Sequence, residues 1–265
     1  PVSYTAAPLY ILLSLLNRIG VSAEILQRGF FALILVGGAL GVYWLGLQLS
    51  LGTRIAALAS IFYLFNFTSL SVWHRGVYNA MLWLLLTPVS FLFLVWGVTR
   101  RSFISIFLII ILSAGMSYVY GSPAYLFSLW LIWFGYLGFM LLKHWPDKPL
   151  RHFLLLYTVL LLLLWVGSHA WWLTNFVRSS GYVFAQFNAE DLRQRGSDVV
   201  VALKQQTDPA YILRGLSRFQ LYDTQEWGKF YSWPPIVLLS WLPALVVIAS
   251  SLSYKLRHRT QWLFF

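Results

Sequence analysis

Long apolar runs alternate with short basic breaks along most of the chain. Between consecutive charged residues these runs cover 29–53, 55–74, 76–99, 102–142, 152–177 and 230–254. A helix that crosses the roughly 30 Å hydrocarbon core needs about 20 apolar residues. Each run is long enough for one crossing. The run 102–142 would extend about 60 Å as a single helix, enough for two crossings. Tyr120-Gly121-Ser122-Pro123 supplies the reversal inside it. The pattern therefore predicts spans near 29–49, 55–72, 79–98, 103–119, 123–142 and 153–173, with a last complete span over 234–253. The expected fold class is all-α: a polytopic membrane helical bundle of about seven transmembrane helices, with residues 1–177 as its main body.

The flanking segments differ from the spans. Residues 4–19 are mostly apolar but too short to cross, and Gly20 ends them. Ser22 is placed to cap the next helix, and Glu24 suits its first turn. The stretch 4–19 is expected to be a helix lying at the membrane interface. Residues 178–231 form a polar segment with short helices, among them 210–219, which Asp208-Pro209 would start. Residues 232–265 hold the last span, a basic loop and the start of a further apolar stretch. The chain begins with Pro and stops in such a stretch, so it is expected to be an internal fragment.

Composition strengthens the membrane reading. The chain is 59% hydrophobic and 10% charged, where a soluble domain carries about a quarter charged residues. Fourteen Trp, fifteen Tyr and twenty Phe fit aromatic belts at two interfaces. The formal charge of +11 sits mostly in short loops, so topology accounts for it and no nucleic-acid partner is implied. With no Cys, thiolate metal sites and disulfides within the chain are excluded. Arg54, Arg100, Arg101, Lys143, Lys148, Arg151, Lys255, Arg257 and Arg259 all fall on one side of the predicted spans. The positive-inside rule puts that side in the cytoplasm. Residues 4–19, the loop after the second span and the segment 178–231 then share the non-cytoplasmic face.

Chemistry-bearing residues are few. There is no phosphate-cradling glycine loop, no HExxH and no nucleophile elbow. Asn66-Phe67-Thr68 matches the glycosylation pattern, but the predicted span contains it. His74 and Arg75 fall at the outer end of the second span. One reading is an interface anchor, with Arg75 snorkelling to headgroups. The other is anion binding, since a guanidinium grips phosphate with two parallel hydrogen bonds and a neighbouring His can donate or move a proton. His169 and Arg178 lie on the same predicted face, as do Tyr78, Trp171 and Trp172. His74, Arg75, His169 and Arg178 are the candidates for a donor phosphate. Tyr78, Trp171 and Trp172 are candidates for an acceptor or for the interface. No metal-ligand set is visible. No acid lies inside a predicted span, which argues against ion-coupled transport.

In order, Pro8-Leu9-Tyr10, Ile19-Gly20-Val21-Ser22, Gln27-Arg28, Gly41-Val42-Tyr43, Tyr63-Leu64-Phe65-Asn66 and Ala170-Trp171-Trp172-Leu173 resemble the membrane core of the GT-C glycosyltransferases. The likeness is to the α-(1→3)-arabinofuranosyltransferase family and covers most of residues 4–180. Phe67 departs from it where the resemblance implies Pro. The resemblance implies transfer of a sugar from a polyprenyl-phosphate donor to a cell-envelope glycan or lipid acceptor. It implies a prokaryotic cell membrane, and a catalytic acid in an outer loop upstream of Pro1. No catalytic residue is therefore assigned within the chain. Cationic groups or a divalent metal would steady the leaving phosphate. Two other classes stay open: a multi-spanning transporter or lipid flippase, and a non-catalytic membrane scaffold.

Overall fold

The computed structural model describes residues 5–66, 69–70, 72–73, 78–121, 123–186, 233–241 and 245. Among these residues every regular element is helical. They are α1 (Ala7–Arg18), α2 (Ala23–Gln48), α3 (Thr53–Phe65), α4 (Tyr78–Arg100), α5 (Ile104–Gly115), a 3-10 turn (Ser117–Gly121), α6 (Pro123–Lys143), α7 (Lys148–Gln186) and α8 (Pro234–Ser240). Four are long and apolar enough to cross a membrane: α2, α4, Tyr125–Lys143 of α6 and Lys148–Arg178 of α7. They are consistent with an integral membrane protein. Helices α3 and α5 are apolar but shorter. Most of the predicted span 234–253 and all of 187–232, including the expected helix 210–219, lie outside the described residues.

Local signals produce the helix ends. Gly20 takes φ +96°, a left-handed conformation open to glycine, and stops α1. Ser22 Oγ accepts from the Ile25 N–H at 3.3 Å and caps α2. Asp147 Oδ1 accepts from the Leu150 N–H at 3.1 Å and starts α7. The reversal expected at 120–123 is present: the 3-10 turn ends at Gly121 and α6 opens on Pro123.

Three boundaries differ from the sequence reading. Helix α3 stops at Phe65, not near 72. Asn66 Oδ1 accepts from the Ser69 N–H at 3.0 Å, and its Nδ2 donates to Ser69 Oγ at 3.1 Å. Asn66 thus marks a break in the helix and does not sit inside a continuous span. Helix α5 ends at Gly115, because the following residues tighten into the 3-10 turn. Helix α7 runs to Gln186, past the expected end at 173 and through Arg178. No Gly or Pro stands between Gly167 and Gly181 to stop it. Its 39 residues extend about 58 Å, well beyond one hydrocarbon core.

The chain divides into two compact units. One holds Pro1–Leu64 and Arg75–Gly181; the other holds Phe65–His74 and Tyr182–Phe265. In the first, α4 is the central helix, packed by α2, α5, α6 and the turn. A Cβ on Gly41 of α2 would sit 2.8 Å from Val89 Cγ2 and 3.2 Å from Val89 N. Only a bare backbone permits that approach. Pro88 cannot donate to the Leu84 carbonyl; the Tyr63 hydroxyl donates to it instead at 2.7 Å. Trp133 Nε1–H donates to Ser90 Oγ at 3.1 Å, and Ser105 and Tyr157 hydroxyls meet at 2.7 Å. Each pair satisfies polar groups that lipid cannot. In the second unit the described residues are the Asn66–Ser69 bend and its neighbours, the end of α7, and α8, which opens on Pro234.

Candidate functional site

Two features in the first unit gather chemistry-bearing side chains. The first is a groove of about 710 Å³ between α1 and α2. Its α1 wall is Leu9, Tyr10, Leu13, Ser14 and Asn17; its α2 wall is Ala23, Leu26, Gln27 and Phe30. Both sets recur at the three-to-four-residue spacing that lines one helix face. Ala6, Tyr78 and Tyr118 complete the lining. Two adjacent helices facing each other through such stripes ordinarily interlock. Here small residues, Ala6, Ser14 and Ala23, leave the space between them open. Tyr78 is positioned from the start of α4 by stacking on Phe31, with ring centroids 6.2 Å apart and planes 13° apart. Behind α1, Ile11, Leu12, Leu15 and Ile19 form a second stripe, each more than half exposed. Among the described residues nothing covers that stripe, as suits a helix resting on acyl chains.

The second feature surrounds His169, which is fully buried. Its Nδ1 lies 2.8 Å from the Trp165 carbonyl oxygen and 2.8 Å from Ser168 Oγ. Its Nε2 lies 3.2 Å from Ser113 Oγ. Trp165 Nε1–H donates to Ser113 Oγ at 2.9 Å, and the Tyr120 hydroxyl bonds the same oxygen. One proton arrangement satisfies the set. The Nδ1–H donates to the Trp165 carbonyl, Ser113 donates to Nε2, and Ser113 accepts from Trp165 and Tyr120. Trp165 stacks on His169 at 4.3 Å, and Trp172 stacks on Tyr120 at 5.7 Å. The network ties the turn between α5 and α6 to α7.

The candidates from the sequence fall in different places. His74 and Arg75 lie outside the described residues. Tyr78 lines the groove. His169 has both ring nitrogens engaged and no open face, so it serves packing as the structure stands. Trp172 is buried beside it, and its Nε1 has no hydrogen-bond partner among the described residues. Trp171 is partly exposed on the outside of α7. Arg178 is exposed, nine residues beyond His169 on the same helix. That spacing separates them by about 13 Å and half a turn.

Sequence reasoning gave no site role to Ser14, Asn17, Gln27 or Tyr118. For the first three the signal was polar positions within otherwise apolar stripes, at 10, 14 and 17 on α1 and at 27 on α2. Among the described residues no three His, Asp or Glu side chains gather as metal ligands. No family model, no curated protein and no solved structure matches the chain.

Proposed function

We propose that this chain is the membrane core of a GT-C-like glycosyltransferase. It transfers a sugar from a polyprenyl-phosphate donor to a cell-envelope acceptor at the non-cytoplasmic face of a prokaryotic membrane. The observation that carries this reading is the groove between α1 and α2. It is a mostly apolar trough of about 710 Å³, within the range of sites that hold a small molecule or one lipid chain. On the other face of that α1 helix Ile11, Leu12, Leu15 and Ile19 are each more than half exposed. An enzyme acting on lipid-linked substrates needs such a trough to hold a chain while the head reaches the reacting groups.

The order of motifs along residues 4–180 supports the same class. The chemistry would be displacement at the anomeric carbon. An acid outside this chain takes the proton of the acceptor hydroxyl, and cations steady the departing phosphate. His74 and Arg75 are the proposed phosphate contacts, at the end of the apolar run 55–74. His169, closed within its own network, is not among them.

Membranes containing the full-length protein should transfer radiolabelled sugar from a polyprenyl-phosphate donor. Arg75→Ala should lower that rate about tenfold or more, as loss of a charged contact to phosphate would. Full expression with no transfer from any polyprenyl-phosphate sugar would reject the reading. Unchanged rates in Arg75→Ala would remove Arg75 from it.

A further inference from the structure

At the end of α4 away from the groove, cations gather beside an exposed apolar stripe. Tyr78, which lines the groove, opens α4, and Arg100 closes it. The two ends lie about 33 Å apart. Past Arg100 the chain turns directly into α5. The Ser102 N–H donates to the Gly97 carbonyl at 2.9 Å, and the Arg101 N–H to the Val98 carbonyl at 3.4 Å. This pair of bonds closes many helices and ordinarily places glycine at the left-handed position. Here Arg101 takes that position, with φ +52°. Glycine would ease the backbone there, yet the turn carries a guanidinium. Arg100 and Arg101 are both exposed.

Aromatic contacts bring the start of α7 to the same end. Phe103 lies two residues past Arg101, and its ring centroid is 5.1 Å from that of Phe153. Lys148 and Arg151 stand within about a turn and a half of Phe153 on α7. Lys148 is exposed. Arg151 lies 5.0 Å over the ring of Trp145, which is itself more than half exposed. A cation beside an exposed tryptophan suits the headgroup layer of a bilayer. Asp147, also at this end, is engaged in capping α7. From the arginine turn onward, α5 presents Ile104, Phe107 and Ile111 at the spacing of one helix face. Each of the three is more than half exposed.

An anionic head joined to acyl chains matches both parts. We propose that the α4–α5 turn and the start of α7 bind an anionic phospholipid of the phosphatidylglycerol class. Arg100 and Arg101 hold the phosphodiester through charge-assisted hydrogen bonds. Lys148 adds attraction from α7, as basic groups at a membrane surface do. One acyl chain lies along Ile104, Phe107 and Ile111.

The test is native mass spectrometry of the full-length protein in detergent, with equal amounts of dioleoylphosphatidylglycerol and dioleoylphosphatidylcholine. The two lipids share chains and differ in head charge. The phosphatidylglycerol should be retained at least about fivefold more. The double variant Arg100→Gln with Arg101→Gly should lose most of that preference. Glycine suits the turn, so the double variant should melt no lower than the unaltered protein in lipid-free detergent, and its loss of lipid then reads the site and not the fold. Arg54→Gln, at the start of α3, should keep the preference. Equimolar glycerol 3-phosphate, which has no chains, should displace none of the bound lipid. Equal retention of the two lipids by the unaltered protein would overturn the proposal. So would full preference in the double variant, or an equal loss in Arg54→Gln, which would mean diffuse charge and no site. Displacement by glycerol 3-phosphate would make this a free-phosphate site and overturn it as well.

Discussion

At Pro88 a missing N–H is answered by a side chain from another helix. Leu84 O would be an orphan acceptor in lipid, and Tyr63 supplies the donor at 2.7 Å. Tyr63→Phe should therefore lower unfolding stability by about 1 kcal/mol, the order found for hydrogen bonds inside membrane proteins. A denaturation curve with no shift would show that the carbonyl finds another partner. Glycines offer a paired contrast. A methyl at Gly41 meets Val89 side chain and backbone, whereas one at Gly135 meets nothing within 4 Å. Gly41→Ala should cost about 1–3 kcal/mol through overpacking, and Gly135→Ala should be neutral or slightly stabilising. Equal melting temperatures would contradict the close approach of α2 and α4. Single residues were legible in the sequence wherever their cause was local. Ser22 as a cap and Gly20 as a stop need only neighbours three or four positions away. His169 was legible as a chemistry-bearing residue near the end of a span, but not as a closed network. Its partner Ser113 is 56 positions distant, and no local pattern announces that meeting.

Among the helices, α7 shows what hydropathy alone conceals. Apolar content sets where a span can lie, but a helix ends only where its backbone is given another partner or a breaker. The predicted end near 173 stands just before Thr174 and Asn175. The helix itself continues through Thr174 and Asn175, whose side chains bond the carbonyls of Ala170 and Trp171. A helix of this length exceeds one hydrocarbon core when it crosses upright. An impermeant maleimide should label Arg178→Cys at least ten times faster than Leu161→Cys, which is fully buried. Comparable rates would mean that α7 is not placed in the bilayer as its hydropathy implies. The converse error occurred at α3, where the uncharged run continues past Phe65 but Asn66 bonds Ser69 and the helix stops. The walls of the groove were legible as stripes. The space between them was not, because it depends on small residues on two helices failing to fill it.

Along the full chain, the alternation of apolar runs and basic breaks was enough to give an all-helical membrane architecture, and the structure carries four helices of crossing length. The count of seven includes stretches outside the described residues and two helices shorter than a core's width. Charge gives the orientation we propose. Tyr78 and Arg101 flank α4, so Tyr78→Cys and Arg101→Cys should label from opposite sides of sealed vesicles. Labelling of both from one side would place α4 within the interface and dismantle the topology.

The functional reading stands or falls with the groove between α1 and α2, and the absence of cysteine from this chain makes that groove directly measurable. Ser14→Cys faces the groove, and Ile11→Cys lies on the outer stripe of the same helix. Alkylation rates of both should be recorded with and without an added polyprenyl phosphate in detergent-solubilised protein. The lipid should slow alkylation of Ser14→Cys at least fivefold and leave Ile11→Cys unchanged. Equal rates at Ser14→Cys with and without lipid would show that no lipid lies between the two helices.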